Sequence, residues 1–326
     1  MSTEANMVER AAVMADVARV AGVSKQTVSR VLNNVPVVNK ATRERVLAAM
    51  RELGYQPNPV ARALATGRTG VLGVLAFDTV RYGPATVLQG IHEAATEAGY
   101  LVSVAPLRAH ERGVDGLITF APQPDLGLPI VTINGGLDQP GSVVAVDEAG
   151  GACAAVEHLL GLGHRTVHHI AGPPLSPAAR ERTRGWREAV AHAGREVPEA
   201  LTGDWDAGSG FVLGSRLAAD PAVTAIFAAN DQMAVGVLRA LHEHGRSVPG
   251  DVCVIGFDDI PESAHLIPPL STVRPDFAAT GRQCVTMLLD QFRTGPPRQP
   301  RRVVMPTDLV LRESTGNRPG GVFSRS

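Results

Sequence analysis

From Val71 onward, short β-rich runs alternate with amphipathic stretches, and this alternation limits the possible folds more than any other feature of the chain. VLGVLAF (71–77), YLVSVA (100–105), VDGLITF (114–120), PIVTI (129–133) and VVAV (143–146) read as strands. TVHHIAG (166–172), VTAIFAA (223–229) and VCVIGF (252–257) continue the series. Between them, ATVLQGIHEAATEAG, GACAAVEHLLGLG, RERTRGWREAVAHAG and DQMAVGVLRALHEHG carry apolar residues at helical spacing. Strands separated by helices of roughly 10–15 residues predict crossover units and parallel sheets. The pattern is read as two doubly wound α/β subdomains, which bind ligands at the carboxyl ends of their strands.

With 326 residues the chain is long enough for at least two folding units. Apolar residues make up 44% and aromatics only 4%, so the core must be built from Val, Leu, Ala and Ile. No run of 18 apolar residues appears, which predicts no membrane-spanning helix. MSTEANMVERAAVMADVARV lacks a basic segment followed by an apolar one, so a cytoplasmic protein is expected. Cys153, Cys253 and Cys284 are odd in number and widely spaced, and they read as small buried hydrophobes. No G-x-G-x-x-G follows a strand and no P-loop occurs, so no nucleotide cofactor is expected.

The first 70 residues differ from the rest in charge. They carry ten Lys/Arg against five Asp/Glu, whereas residues 71–326 carry twenty-one against twenty-seven. A basic head on an acidic body points to a polyanionic partner for the head. The head reads as three helices: Ala15–Ala21, then KQTVSRVLN, then KATRERVLAAMREL. Gly22 and Val23 make a tight turn, Ser24 and Asn39 are expected N-caps, and Gly54 stops the third helix. Val28, Val31 and Leu32 form one buried stripe, and Val46, Met50 and Leu53 another.

A helix of this kind fits the major groove, with its N-terminal side chains at base edges. Those side chains are Lys25, Gln26 and Thr27, with Ser29 and Arg30 one turn on. Gln26 suits adenine and Arg30 or Lys25 suits guanine, while Thr27 and Ser29 suit phosphate. The following YQPNPVARALATGRTG, punctuated by Pro57 and Pro59, reads as a linker whose short helix is marginal in isolation.

ADVARVAGVSKQTVSRVLNN and TRERVLAAMRELGYQPNPVARALATG together resemble the N-terminus of the LacI/GalR family of bacterial repressors. The match is dense over residues 15–68 and continues through AGPPLSPAARERTRGW, GDWDAGSGF, FAANDQMAVGVLRA and VIGFDDIPESAHLIPPLSTVRPDF. The resemblance implies double-stranded operator DNA as partner, with further contacts at Ser24 and Asn33 and, in the linker, at Asn58, Ala61, Leu64 and Ala65. Leu64 would wedge between base steps of the minor groove. It also implies a periplasmic-binding-protein-like body with an effector held between two subdomains. By position, Arg182, Asn230 and Asp258 match the family's polar contacts, and Trp205 and Phe277 its apolar walls. Arg182 would also serve a carboxylate or phosphate ligand.

Two departures accompany the match. Polar contacts of the family fall at Gly150 and Pro275, and Asp147 is the carboxylate expected to substitute. The connections between YLVSVA and VDGLITF, and between VDGLITF and LPIVTI, are too short for crossover helices, so one face of the first sheet should be less covered.

The expected organisation is therefore a helix-turn-helix domain (13–56), a hinge (57–69), a first subdomain (70–163 and 277–303), a second (164–276 and 304–315) and a disordered tail (316–326). The tail has no heptad pattern, and a homodimer on a palindromic operator is expected. His158, His164, His168 and His169 lack a completing ligand set, so no metal site is expected. Nothing offers a nucleophile elbow or an acid pair, so an enzyme is not expected. A sugar-like inducer that releases the repressor is the leading reading. A corepressor that strengthens DNA binding, such as a purine, is the alternative.

Overall fold

In the computed structural model, the structure describes residues 12–32, 37–55, 67–76, 78–106, 113–121, 126–133, 141–295, 297, 299 and 301–316. The chain divides into a compact unit over residues 1–70 and a second over 71–326.

The head contains α1 (Met14–Ala21), α2 (Lys25–Leu32) and α3 (Lys40–Glu52). Gly22 adopts φ 64°, which closes the turn between the first two helices. Ser24 Oγ accepts from Thr27 N at 3.1 Å, and Asn39 Oδ1 accepts from Thr42 N at 2.8 Å. Both expected N-caps are present. Val17, Val28, Val31, Val46 and Ala49 close a small core, with Met50 and Leu53 packed against it.

The body holds two six-stranded sheets. The first contains β1 (Val71–Ala76), β2 (Leu101–Pro106), β3 (Gly116–Thr119), β4 (Ile130–Ile133), β5 (Ser142–Val146) and β11 (Arg302–Met305). Its order is β11-β5-β4-β3-β1-β2, and every pairing is parallel. The second contains β6 (His168–Ala171), β7 (Leu201–Thr202), β8 (Ala225–Ala228), β9 (Cys253–Phe257), β10 (Ser271–Pro275) and β12 (Thr307–Val310). Its order is β12-β10-β9-β8-β6-β7, parallel except where β12 runs against β10.

The helices pack in close pairs. α4 (Tyr82–Glu97) lies on α9 (Phe277–Thr294), α5 (Glu148–Gly161) on α6 (Pro177–His192), and α7 (Ala207–Ala218) on α8 (Asp231–Glu243). Each contact is made at glycine. A Cβ on Gly281 would strike Val87 O, one on Gly185 would strike Ala149 O, and one on Gly236 would strike Ala207 O. Glycine lowers helix propensity, but here it admits a neighbouring backbone where no other residue fits.

Period-2 alternation in the second sheet sends Phe227, Ile255 and Phe257 to the α5–α6 side. Ile226, Ala228 and Val254 face α7–α8. This sheet is wound on both faces, as expected. In the first sheet, Leu72, Val74, Ile118 and Val144 pack beneath both α4 and α9. Among the described residues no helix covers the opposite face, in keeping with the two short connections. Leu75, Leu117 and Val143 of that face are nonetheless buried, while Leu101 of the edge strand β2 and Val304 of the edge strand β11 are exposed there.

One expected boundary is corrected. The stretch 148–163 was assigned to the first subdomain, but Ala152, Ala155, Val156 and Leu159 of α5 belong to the second core with Val167 and Trp186. The chain therefore changes subdomain at Asp147, directly after β5. The helical period shows that a stretch is helical but not which sheet it covers. The two remaining crossings fall at Asp276 and Pro306, between β10 and α9 and between β11 and β12. Six elements that the pattern did not mark (β7, α7, β10, α9, β11 and β12) complete the body. The tail beyond residue 316 lies outside the described residues, as do Asn33, Asn58, Ala61, Leu64 and Ala65.

A measurement tests the helix-pair account. Gly281→Ala should destabilise the body by about 2 kcal/mol or more, since the backbone carbonyl opposite cannot yield. Gly161→Ala, on a helix with nothing within 4 Å, should be neutral or slightly stabilising. Urea denaturation of both variants, with equal midpoints as the contrary result, decides it.

Candidate functional site

In the head, the outward face of α2 presents Lys25, Gln26 and Arg30 in exposed positions, with Ser24 exposed at its start. Val28 and Val31 are buried on the opposite side, so the face is fixed in orientation. Thr27 and Ser29 are half-buried. The Thr27 hydroxyl lies 2.9 Å from Ser24 Oγ and shares in the N-cap.

In the body, a cavity opens between the carboxyl ends of the two sheets. Residues following β1, β5, β7, β8 and β9 supply its wall: Tyr82, Glu148, Trp205, Asn230 and Asp258, together with Phe277 at the start of α9. Five of the six side chains expected here from the resemblance (Arg182, Trp205, Asn230, Asp258 and Phe277) line this one space.

Arg182 is the centre of the arrangement. It comes from α6, where its neighbours Arg180, Glu181 and Arg184 face outward, yet it is itself buried. Its Nε donates to Glu148 Oε2 at 2.6 Å and its Nη1 to Ala229 O at 2.5 Å, while Nη2 lies 3.1 Å from Asp258 Oδ1. The guanidinium carbon sits 3.7 Å from the centre of the Phe257 ring and 5.6 Å from that of Trp205. A charge this deep persists only because carboxylates and a carbonyl surround it.

Asp258 follows β9 with φ 109°, and Asp259 follows with φ 51°. The latter is the turn residue expected, tied by Arg274 Nε at 2.5 Å and Arg312 Nη2 at 2.7 Å. Asp258 Oδ1 is buried and has no hydrogen-bond partner among the described residues. Arg182 Nη2 is near enough to attract it but not aligned to donate. Burial is the dominant influence on this carboxyl and pushes it up to about 7, against the opposing pull of Arg182.

Asp231, which the sequence pattern marked only as part of a helix, is fully buried behind the site. It accepts from Thr272 Oγ1 at 2.6 Å, Ser263 Oγ at 2.7 Å and Ile260 N at 3.0 Å. It thereby pins the loop that carries Asp258. Burial pushes its carboxyl up to about 6.

Asn230 caps α8, its Oδ1 accepting from Met233 N at 3.0 Å. Its Nδ2 donates to Trp205 O at 3.0 Å and Gln232 Oε1 at 2.8 Å. The amide is thus occupied in holding Trp205, whose φ of 77° requires such support. Phe277 meets Tyr82 edge-on, with ring centres 6.1 Å apart.

Asp147 is the exception. Its Oδ1 accepts from Gly150 N at 2.9 Å, so the carboxylate caps α5 and is exposed rather than facing the cavity. The next residue, Glu148, is the one directed inward. The two differ by one position at a helix start, where neighbours point in directions about 100° apart. Tyr82 and Arg81 were also not anticipated, although their position just after β1 was a usable signal.

Residues 13–58 match the family described as bacterial regulatory proteins, lacI family, and residues 156–315 match a periplasmic binding protein-like domain. The chain is 36% identical to the HTH-type transcriptional regulator CelR of Thermobifida fusca, over 91% of this chain and 96% of that protein. It belongs to the LacI family of bacterial regulatory proteins. The lactose operon repressor of Escherichia coli (strain K12) is 34% identical to it over 92% of this chain and 89% of that repressor. Among solved structures, this LacI-family chain superposes on a lac repressor dimer bound to operator and the anti-inducer ONPF with a TM-score of 0.83. The identity is 32%, covering 94% of this chain and 100% of the other. A CelR–cellobiose complex superposes with a TM-score of 0.69 at 33% identity, covering 93% and 99%. No helix among the described residues is long and apolar enough to cross a membrane.

Asn230→Ala removes both the cap of α8 and the tether of Trp205. It should lower body stability by about 2 kcal/mol through the buried Met233 N–H and the Trp205 carbonyl left unpaired. Chemical denaturation with an unchanged midpoint would contradict the tether.

Proposed function

We propose that the chain is a transcriptional repressor that binds a palindromic operator as a dimer and is released by a sugar-like inducer held in the body's cavity. The observation that carries the reading is the convergence of Arg182, Asp258, Trp205 and Phe277 on one cavity at the carboxyl ends of both sheets. A carboxylate takes ligand hydroxyls, and an indole face covers the C–H face of a sugar ring. Solved complexes of the lac repressor with ONPG and of CelR with cellobiose support a sugar-like effector.

The DNA side rests on α2. Gln26 and Arg30 are the proposed base readers, with Lys25, Ser24, Thr27 and Ser29 serving phosphate and cap. Asn33 and the linker positions Asn58, Ala61, Leu64 and Ala65 complete the proposed contacts, with Leu64 as the minor-groove wedge. A dimer matches two such heads to an inverted repeat. The relatives are transcriptional regulators, which favours regulation over catalysis. A protein of this kind acts in the cytoplasm, on the nucleoid when DNA-bound.

Release requires that the effector prefer the DNA-free arrangement; its affinity alone shifts nothing. Selection from random duplexes should recover an inverted repeat. Anisotropy titration on that duplex should then show operator affinity falling roughly 5- to 150-fold when a binding sugar is added. Tighter operator binding with the sugar would assign the opposite sign, and failure to select any repeat would overturn the DNA reading.

A further inference from the structure

At the mouth of the cavity, one side chain of the first subdomain reaches into the second. Arg81, at the start of α4, donates from Nε to Asp78 Oδ2 at 2.6 Å, from Nη1 to Asp206 Oδ1 at 2.8 Å and from Nη2 to Asp204 O at 3.1 Å. All three guanidinium nitrogens are engaged, two of them across the cleft. Asp204 and Asp206 flank Trp205, which walls the cavity from the second subdomain. Exposure increases outward along this clasp, from 29% for the Arg81 side chain to 67% for that of Asp206. The clasp therefore stands between the cavity and solvent.

Local structure on both sides gives way to the clasp. Asp206 is the N-cap residue of α7, where an aspartate ordinarily accepts from the first turn. Its side chain makes no cap hydrogen bond and turns to Arg81 instead. Arg81 holds the same position on α4, and its side chain likewise makes no cap bond. Asp78 and Trp205, with φ of 56° and 77°, sit one on each side. The Trp205 loop is tied to itself. Asp206 N donates to Asp204 Oδ1 at 2.9 Å, Asp204 N to Ser209 Oγ at 3.2 Å, and Ser209 Oγ to Asp206 O at 3.0 Å. A restraint on Asp206 is thereby a restraint on Trp205.

We propose that Arg81, Asp204 and Asp206 form a gate that controls the passage of small molecules into and out of the cavity. With the clasp closed, the two subdomains are joined over the cavity and the cavity face of Trp205 is shielded. With it open, the start of α4 and the Trp205 loop part, and the cavity is reached. A partly exposed ion pair adds little to overall stability, so the clasp opens while the body stays folded. A gate acts on entry and exit alike, so the clasp sets the pace of exchange rather than the choice of occupant. The inference rests on the effector-site reading only for what passes the gate, and the gate itself is testable without an effector.

In the test, acrylamide is the entering molecule and Trp205 the reporter, in the full chain. The chain's two tryptophans are Trp186 and Trp205. Trp186 is fully buried, with Nε1 donating to Val167 O at 2.8 Å, so quenching of the fluorescence by acrylamide reads Trp205. Asp206→Ala removes an exposed group that stands behind Arg81, so it breaks the clasp without widening the cavity. Arg81→Met keeps most of the side chain's bulk and removes its donors. Each should raise the quenching constant roughly two- to fivefold, the bias that such an ion pair supplies. The double variant should give no more than either alone, because both changes open one clasp. Arg184→Gln, which breaks the exposed pairs with Glu181 and Glu188 on α6, should match the parent. Unchanged quenching in Asp206→Ala and Arg81→Met overturns the gate, as does an equal rise in Arg184→Gln. Effects that multiply in the double variant overturn the clasp as a single device. None of these outcomes depends on whether the cavity takes a sugar, so the effector-site reading stands or falls separately.

Discussion

A guanidinium withdrawn from water is tolerated only where its charge is answered on several sides, and the cavity of this protein is organised around one such group. Arg182 links three pieces of chain that are far apart in sequence: the start of α5 through Glu148, the turn after β8 through Ala229 O, and the turn after β9 through Asp258. Remove the arginine and two buried carboxyls face one another with nothing between them. The surroundings carry related constraints. Asp231 pins the β9 loop, Asn230 holds the Trp205 backbone, and Gly185 lets α6 approach α5 closely enough for Arg182 to reach Glu148.

The strained backbone collects in the same place. Asp78, Trp205, Asp258 and Asp259 are the described non-glycine residues with positive φ, and three of them line the cavity. Such conformations cost free energy and persist only where neighbouring bonds enforce them. Here the enforcing bonds are visible: Arg81 on Asp78, Asn230 on the Trp205 carbonyl, and Arg274 with Arg312 on Asp259. The result is a preorganised wall rather than a flexible mouth.

Much of this was legible in the sequence, and the limits have physical causes. The head was readable because caps are local: Ser24, Asn39 and Gly54 act within one turn of themselves. Strands such as VCVIGF were readable as apolar runs. By contrast α7, AGSGFVLGSRLA, reads poorly as a helix because of its glycines, and two of them, Gly210 and Gly214, admit the close contact with α8. The assignment of α5 to the second core depends on which sheet it meets, a fact no periodicity contains. The resemblance located Arg182, Trp205, Asp258 and Phe277 in one space. It failed at Asp147, because choosing between adjacent carboxylates at a helix start needs the helix phase. The cross-cleft clasp of Arg81 joins residues 125 apart in sequence and left no pattern to read.

The central claim is that the cavity and the DNA-reading helix belong to one regulated equilibrium. Linkage makes this testable in the direction opposite to induction, because operator must change effector affinity by the same factor that effector changes operator affinity. Calorimetric titration of a binding sugar into the protein, alone and saturated with its selected operator, measures that factor. The account predicts weaker sugar binding in the presence of operator, by the factor found for operator release. Identical sugar affinity with and without operator would contradict it.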